Sequence, residues 1–184
     1  MTTSTAPAVP AGTYSIDPVH SRVGFAVRHL GIATVRGHFG SFEGSFEVGD
    51  EFDSARVYGS VETASVDTQE QQRDDHLRSA DFFDVERFPR IEFESKEIRP
   101  LDEDSFEILG DLTMHGVTRE ISLSAEILGT ESDPWGNERV GVEARGELNR
   151  KDYGMTFNQV LGSGNALVSD KVKLVLEASA VKQA

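Results

Sequence analysis

The chain predicts an all-β fold of about eight or nine antiparallel strands, closed into a barrel or stacked as a sandwich, with one short helical segment. Three observations carry this. Apolar residues recur with period two rather than 3.6, turn-forming residues separate the alternating runs at hairpin spacing, and strand and helix patterns do not alternate along the chain.

The alternation is clearest in two segments. From Val117 to Ile127 the odd positions carry Val117, Ile121, Leu123, Ala125 and Ile127, and the even positions are polar. From Val168 to Ala178 the even positions carry Val168, Val172, Leu174, Leu176 and Ala178. Each pattern describes a strand with one dry and one wet face. In chain order, the other strands are marked by Tyr14–Ile16; Val23, Phe25 and Val27; Val35, Gly37 and Phe39; Phe42, Gly44, Phe46 and Val48; Val57, Gly59 and Val61; Ile91 and Phe93; Phe106, Ile108, Gly110, Leu112 and Met114; and Val140, Val142, Ala144 and Leu148. The phase changes near Ser41, which predicts a bulge there.

Turns are expected at Gly31-Ile32, Gly49-Asp50, Pro100 to Asp104, His115-Gly116 and Asp133 to Asn137. A helix is expected over Gln69–Ala80, where Thr68 and Gln71 have the spacing of a capping box. Leu77 and Ala80 are its only apolar residues, so it should lie on the surface or act as a lid. Phe82 and Phe83 follow, too aromatic for plain loop, and should plug one end of the sheet structure. A short turn is expected at Asn149–Gly154.

A chain of 184 residues is the size of one domain. Residues 1–11 read as a flexible tail and 12–181 as the barrel. The tail has neither the charged start nor the apolar core of a secretory signal, so the cytoplasm is the expected compartment. No run of residues is apolar enough for a membrane helix, so stable membrane insertion is not expected. The net charge of −14 argues against nucleic acid as a partner. The absence of cysteine excludes disulfides and thiolate chemistry.

Strands with a single dry face must close or stack, and a barrel of eight leaves an interior that side chains can fill or that can hold one small ligand. Gly37, Gly44, Gly59, Gly110 and Gly146 share the inward phase with many aromatic residues. They either mark bends in the sheet or leave vacant volume along the axis. The candidate ligand-binding residues are therefore the inward set Val23, Phe25, Val27, Phe39, Phe42, Phe46, Val57, Val61, Phe93, Phe106, Ile108, Leu112, Ile121, Leu123, Val142 and Leu174. A solidly packed core is the competing reading.

No nucleophile elbow, phosphate loop, dinucleotide fingerprint or zinc-protease motif is present. His20 and Ser21 are neighbours in extended chain, so they face opposite ways and make a poor relay. Asp17 to Ser21 reads better as a structured turn. His29 and His38 could face each other across a hairpin, but no close ligand spacing supports a metal. No cofactor is expected. Arg145, Arg150 and Lys151 either meet an anionic head group or pair with nearby acids, the second being the better reading. Acidic runs such as Asp50-Glu51, Asp74-Asp75 and Asp102 to Asp104 read as solvated faces.

Several motifs resemble the YceI-like, lipocalin-like family. They are Tyr14-Ser-Ile-Asp-Pro-Val-His-Ser21 followed by Val23-Gly-Phe25 and His29; Gly37-His-Phe39 leading to Phe42-Glu-Gly44; His76 to Asp84; Phe88 to Phe93; Gly110 to Arg119; and Asn149-Arg-Lys-Asp-Tyr-Gly-Met155. The resemblance spans about Gly12 to Ala180. It implies an extended eight-stranded antiparallel lipocalin-like barrel with one short helical segment, which binds a polyisoprenoid or similar long-chain amphiphilic lipid, of the prenyl quinone or prenyl phosphate class, in an apolar pore. It implies storage or transport rather than catalysis, with a homodimer among the expected assemblies, and it carries over no catalytic residue. The alternative is an enzyme acting on a hydrophobic substrate through histidines at the barrel mouth.

Overall fold

A computed structural model describes residues 9–50, 54–159, 162 and 167–184. Eleven strand segments and one α-helix follow one another as β1 (Gly12–Ile16), β2 (Arg22–His29), β3 (Ala33–Phe39), β4 (Phe42–Val48), β5 (Arg56–Glu62), β6 (Val66–Asp67), α1 (Gln71–Arg78), β7 (Arg90–Pro100), β8 (Ser105–Met114), β9 (Val117–Ser132), β10 (Glu138–Asn149) and β11 (Val168–Lys182).

The pairing reduces these segments to eight strands. β11 pairs β10 along one edge; along its other edge it pairs β2 and then β1. β1 and β2 are therefore one strand broken by a short turn. β3 and β4 form the next strand, and β5 and β6 the third, because β2 pairs β3 where β1 pairs β4, and β3 pairs β6 where β4 pairs β5. With β7 to β11 the sheet is an up-and-down antiparallel barrel of eight strands, closed by the β1–β11 and β2–β11 ladders. Closure leaves no long free edge, which suits so β-rich a chain.

The breaks have local causes. Between β1 and β2, Asp17 accepts a hydrogen bond from the Val19 N–H, and Pro18 opens a 3-10 turn over Pro18–His20. Ser21 mends the lost ladder: its hydroxyl accepts from the Ser179 N–H (2.9 Å) and lies 3.3 Å from the Ser179 carbonyl. The Asp-Pro-Val-His-Ser run is thus a built kink. The phase change near Ser41 is not an added bulge residue within one hairpin. It is the corner Gly40–Ser41 between β3 and β4, held by Gly40 N–H to Ser65 O and Glu62 N–H to Ser41 O.

The helix is shorter than expected. Glu70, not Thr68, caps it, accepting from the Arg73 N–H. Thr68 instead gives its N–H and hydroxyl to the buried carboxylate of Asp74, so the expected capping spacing serves a different bond. Val9 and Pro10 are not free tail: Val9 is buried beside Tyr14, and the Tyr14 hydroxyl donates to Pro10 O. Residues 1–8 of the expected tail and Glu51 of the acidic run lie outside the described residues.

Three apolar clusters lie along the barrel. One end holds Phe82, Phe83, Phe39, Tyr153 and Met155, beneath α1 and the β10–β11 connection. Ile98, Phe106, Ala125 and Ala144 fill the barrel towards the other end, and Val9, Tyr14, Val140 and Ala180 also pack at that end. The expected plug of Phe82 and Phe83 is present.

The inward glycines act through their neighbours. Phe25 lies over Gly37, its partner in register. Leu123 lies over its partner Gly146, 2.6 Å from where a β-carbon would stand. Ile16 covers Gly44 at 2.6 Å, and the Phe93 ring covers Gly110 at 2.5 Å. These large side chains lie down on the wall rather than standing into the lumen. Gly59 alone of the five expected inward glycines has no side chain over it, the Glu43 carbonyl at 4.0 Å being its nearest neighbour.

This arrangement sets an asymmetry between two glycines. Gly110→Val meets both the Phe93 ring and the Glu94 carbonyl, so it should lower stability in urea unfolding by about 1–3 kcal/mol. Gly59→Ala should stay within about 0.5 kcal/mol of the parent. Equal losses would contradict the packing.

Asp17 also links the β1–β2 kink to the β9–β10 turn. It accepts from His20 Nδ1 (2.8 Å) and Arg139 Nη1 (2.9 Å), while Arg139 Nε reaches Asp133 at 2.8 Å. The hydrogen bonds from His20 and then Arg139 hold its carboxyl at about 2, below the ordinary 3.8. A depressed folded value gives stability that is present above about pH 4 and lost as pH falls towards 2. Asp17→Asn should remove that part of the acid limb in unfolding measured from pH 5 to about 2.

Candidate functional site

Between the two packed ends runs a cavity of about 290 Å³. Its walls are almost wholly apolar. Along β11 alone it is lined from Val168 to Ala178, roughly 30 Å of strand path at the usual rise per residue. It is therefore long and narrow. Phe25, Phe46, Phe93, Leu174 and Leu176 point inward yet remain only partly buried, because they face this space.

The residues expected to line an interior site fall as follows. Val23, Phe25 and Val27 of β2, Phe39 of β3, Phe42 and Phe46 of β4, and Val57 and Val61 of β5 all line the cavity. So do Phe93 of β7, Ile108 and Leu112 of β8, Ile121 and Leu123 of β9, Val142 of β10 and Leu174 of β11. Phe106 does not. It shares their phase but is 6% exposed and packs against Ile98, Ala125 and Ala144, of which Ala144 alone also lines the cavity. Alternation gives a residue's face but not its depth, and the small alanines beside Phe106 let its ring fill the section.

Other lining residues come from outside the expected set. Val172, Leu176 and Ala178 share the phase of Leu174 and were legible from it. Leu77, Phe82 and Phe83 cap the space from the α1 segment, and Met155 and Arg150 from the β10–β11 connection. Nothing in the local pattern marks Met155.

Arg150 is the cationic side chain at the capped end. It is 2% exposed. The turn Arg150–Tyr153 is started by Asn149, which accepts from the Lys151 N–H, and ended by Gly154 in the left-handed region. This places the guanidinium against backbone. Nε donates to Ser169 O (3.0 Å), and Nη1 donates to Met155 O and Phe157 O (2.8 Å each). Nη2 lies 3.4 Å from Val168 O and 3.7 Å from Asp170. Burial pushes the Arg150 pKa down and Asp170 opposes it. The group stitches the connection together. Lys151 pairs with Asp170 (3.2 Å) and Arg145 with Glu143 (2.5 Å), so all three bases have acids beside them.

The histidines stand apart from the cavity. His20 meets Asp17 at the β1–β2 kink, and His38 lies 3.9 Å from Asp67. His76 reaches Asp81 at 2.9 Å and stands edge-on to Phe82 and Phe157. His115 Nδ1 lies 2.8 Å from Tyr153 O. His29 is opposite Ala33 and His38 opposite Gly24, so these two do not face each other as the hairpin reading allowed. None of the five lines the cavity. Among the described residues no group of three or more His, Asp or Glu could hold a metal ion, and no helix is long and apolar enough to cross a membrane.

Removing the Arg150 side chain should unpair several buried carbonyls at once. Arg150→Met should cost about 2–5 kcal/mol in urea unfolding, since each orphaned buried acceptor costs ~1–3 kcal/mol. A loss below about 0.5 kcal/mol would mean that these bonds do not hold the connection.

Comparison with known proteins places this geometry. The model of the YceI-like domain matches residues 14–180. Protein YceI of Salmonella arizonae is 38% identical over 176 residues, covering 94% of this chain and 88% of that protein. The crystal structure of the Campylobacter jejuni YCEI protein superposes with a TM-score of 0.73 at 29% identity, covering 85% of this chain and 90% of that one. A polyisoprenoid binding domain from Saccharophagus degradans, implicated in plant cell wall breakdown, has the same fold (TM-score 0.69, 18% identity, 92% and 98% covered). With the family model running from the first strand to the last and the Salmonella sequence aligned over nearly the full length, the chain belongs to the YceI-like family.

Proposed function

We propose that the protein binds a long-chain prenyl lipid in the barrel cavity and stores or carries it without changing it chemically. One observation carries this reading: the cavity is long, narrow and almost without polar atoms. A compact polar metabolite would lose its hydrogen bonds there, whereas a linear hydrocarbon tail would not. The likeness in fold to a polyisoprenoid binding domain supports the same reading. So does the absence of histidine from the cavity lining, since the alternative rests on an imidazole within reach of a bound substrate.

Magnitudes favour a long tail. Burying a methylene gains about 0.8 kcal/mol, so about twelve would gain roughly 10 kcal/mol. Association costs about 4 kcal/mol or more in lost freedom, before the tail is ordered. The remainder falls below the roughly 8 kcal/mol of micromolar binding. A tail with about twice as many buried carbons reaches it.

Organic extraction of the purified protein, followed by mass spectrometry, should release a long-chain isoprenoid. Leu176→Trp, which fills the cavity, should weaken binding of an added prenyl alcohol by about tenfold or more while thermal unfolding stays cooperative. No isoprenoid from the parent, together with unchanged binding in the variant, would overturn the proposal.

A further inference from the structure

Given a lipid in the cavity, its polar end still needs a place. The cavity wall presents almost no polar surface to it, and the Arg150 guanidinium is already taken up by carbonyls. A buried hydroxyl or carbonyl without partners is unfavourable, so the head must reach a polar surface.

Among the described residues, the ladder between β5 and β7 is a weak seam in the barrel wall beside the cavity. The β5–β7 ladder ends at Tyr58–Glu94, while β7 runs on to Pro100 paired with β8. At the next position the Val57 N–H donates to the Ser95 hydroxyl (2.8 Å), a side chain bridging where the ladder has stopped. β7 is bulged there, between Ser95 and Glu97, and a bulge bends its strand. A polar cleft of about 490 Å³ lies at this seam, and Phe46, Val57 and Tyr58 wall both the cleft and the cavity. Gly59, the inward glycine that no side chain covers, is the next residue along β5.

The cleft is polar but not cationic. Ser45 and Ser95 supply hydroxyls, Glu47 and Glu94 carboxylates, Arg56 and Lys96 cations. Arg56 is in register with Glu47 on β4. Lys96 is held by Asp111 (3.2 Å) and Glu120 (3.3 Å). Lys96 thus has two acids beside it and Arg56 one at its register position, in a molecule of net charge −14. A diphosphate would meet carboxylates as well as cations, whereas an alcohol, quinone or amide finds donors and acceptors.

We propose that the cleft between β5 and β7 is the head-group subsite, and that it selects prenyl lipids with an uncharged, hydrogen-bonding head over prenyl phosphates. The inference rests on the cavity-binding reading and goes further by naming the head group and its exit.

The test compares solanesol with solanesyl diphosphate, which share one tail, by titration in the same detergent. The parent should bind solanesol more tightly by about tenfold or more. Glu47→Lys/Glu94→Lys, a change confined to exposed side chains, should move the ratio towards the diphosphate by about tenfold. Glu126→Lys/Glu131→Lys on β9 adds the same charge elsewhere and should leave the ratio unmoved. Equal or tighter diphosphate binding by the parent would overturn the head-group class. A ratio that responds equally to both double variants, or to neither, would overturn the location. If a folded parent binds neither lipid, the cavity-binding reading falls, and this inference falls with it.

Discussion

The structure depends on where its large inward side chains come to rest. An eight-stranded barrel is just narrow enough for side chains to fill. Here Phe25, Ile16, Phe93 and Leu123 each lie over a glycine of an adjacent strand, so their bulk goes into the wall. The lumen keeps a narrow apolar void that a set of upright rings would have closed. The glycines contribute no volume directly, since four of the five are covered. What they contribute is a place for the neighbour to lie.

Polar groups are kept to the ends, kinks and outer face. Asp17, His20, Arg139 and Asp133 fasten the β1–β2 kink to the β9–β10 turn. Thr68, Arg73 and Asp74 fix the start of α1. Arg150 and Asn158 stitch the β10–β11 connection, Asn158 bonding to both the N–H and the carbonyl of Val168. With both ends fastened in this way, the middle of the barrel can remain hollow without its strands having to pack against one another.

Much of this was legible in the sequence. Period-two patterning placed the inward face of most strands, because in a closed antiparallel sheet that face is dry along its whole length. The Asp17 to Ser21 turn and the Phe82-Phe83 plug were readable from residue type alone. Three things were not. Depth along the axis was hidden, so Phe106 looked like Phe93 although Ala125 and Ala144 let it fill its section. Bends within a strand looked like separate strands or a bulge, because alternation cannot tell a corner at Gly40–Ser41 from an inserted residue. The role of Thr68 was misread, because its hydroxyl has two possible nearby partners and the buried Asp74 carboxylate wins.

The most direct test is an electron-density map of the barrel axis in protein taken straight from cells. The account predicts continuous, elongated density beside Phe25, Phe93 and Leu176, below Phe82 and Phe83, with both phenylalanine rings flat on Gly37 and Gly110. Rings swung upright into the lumen, leaving no room for a tail, would contradict it.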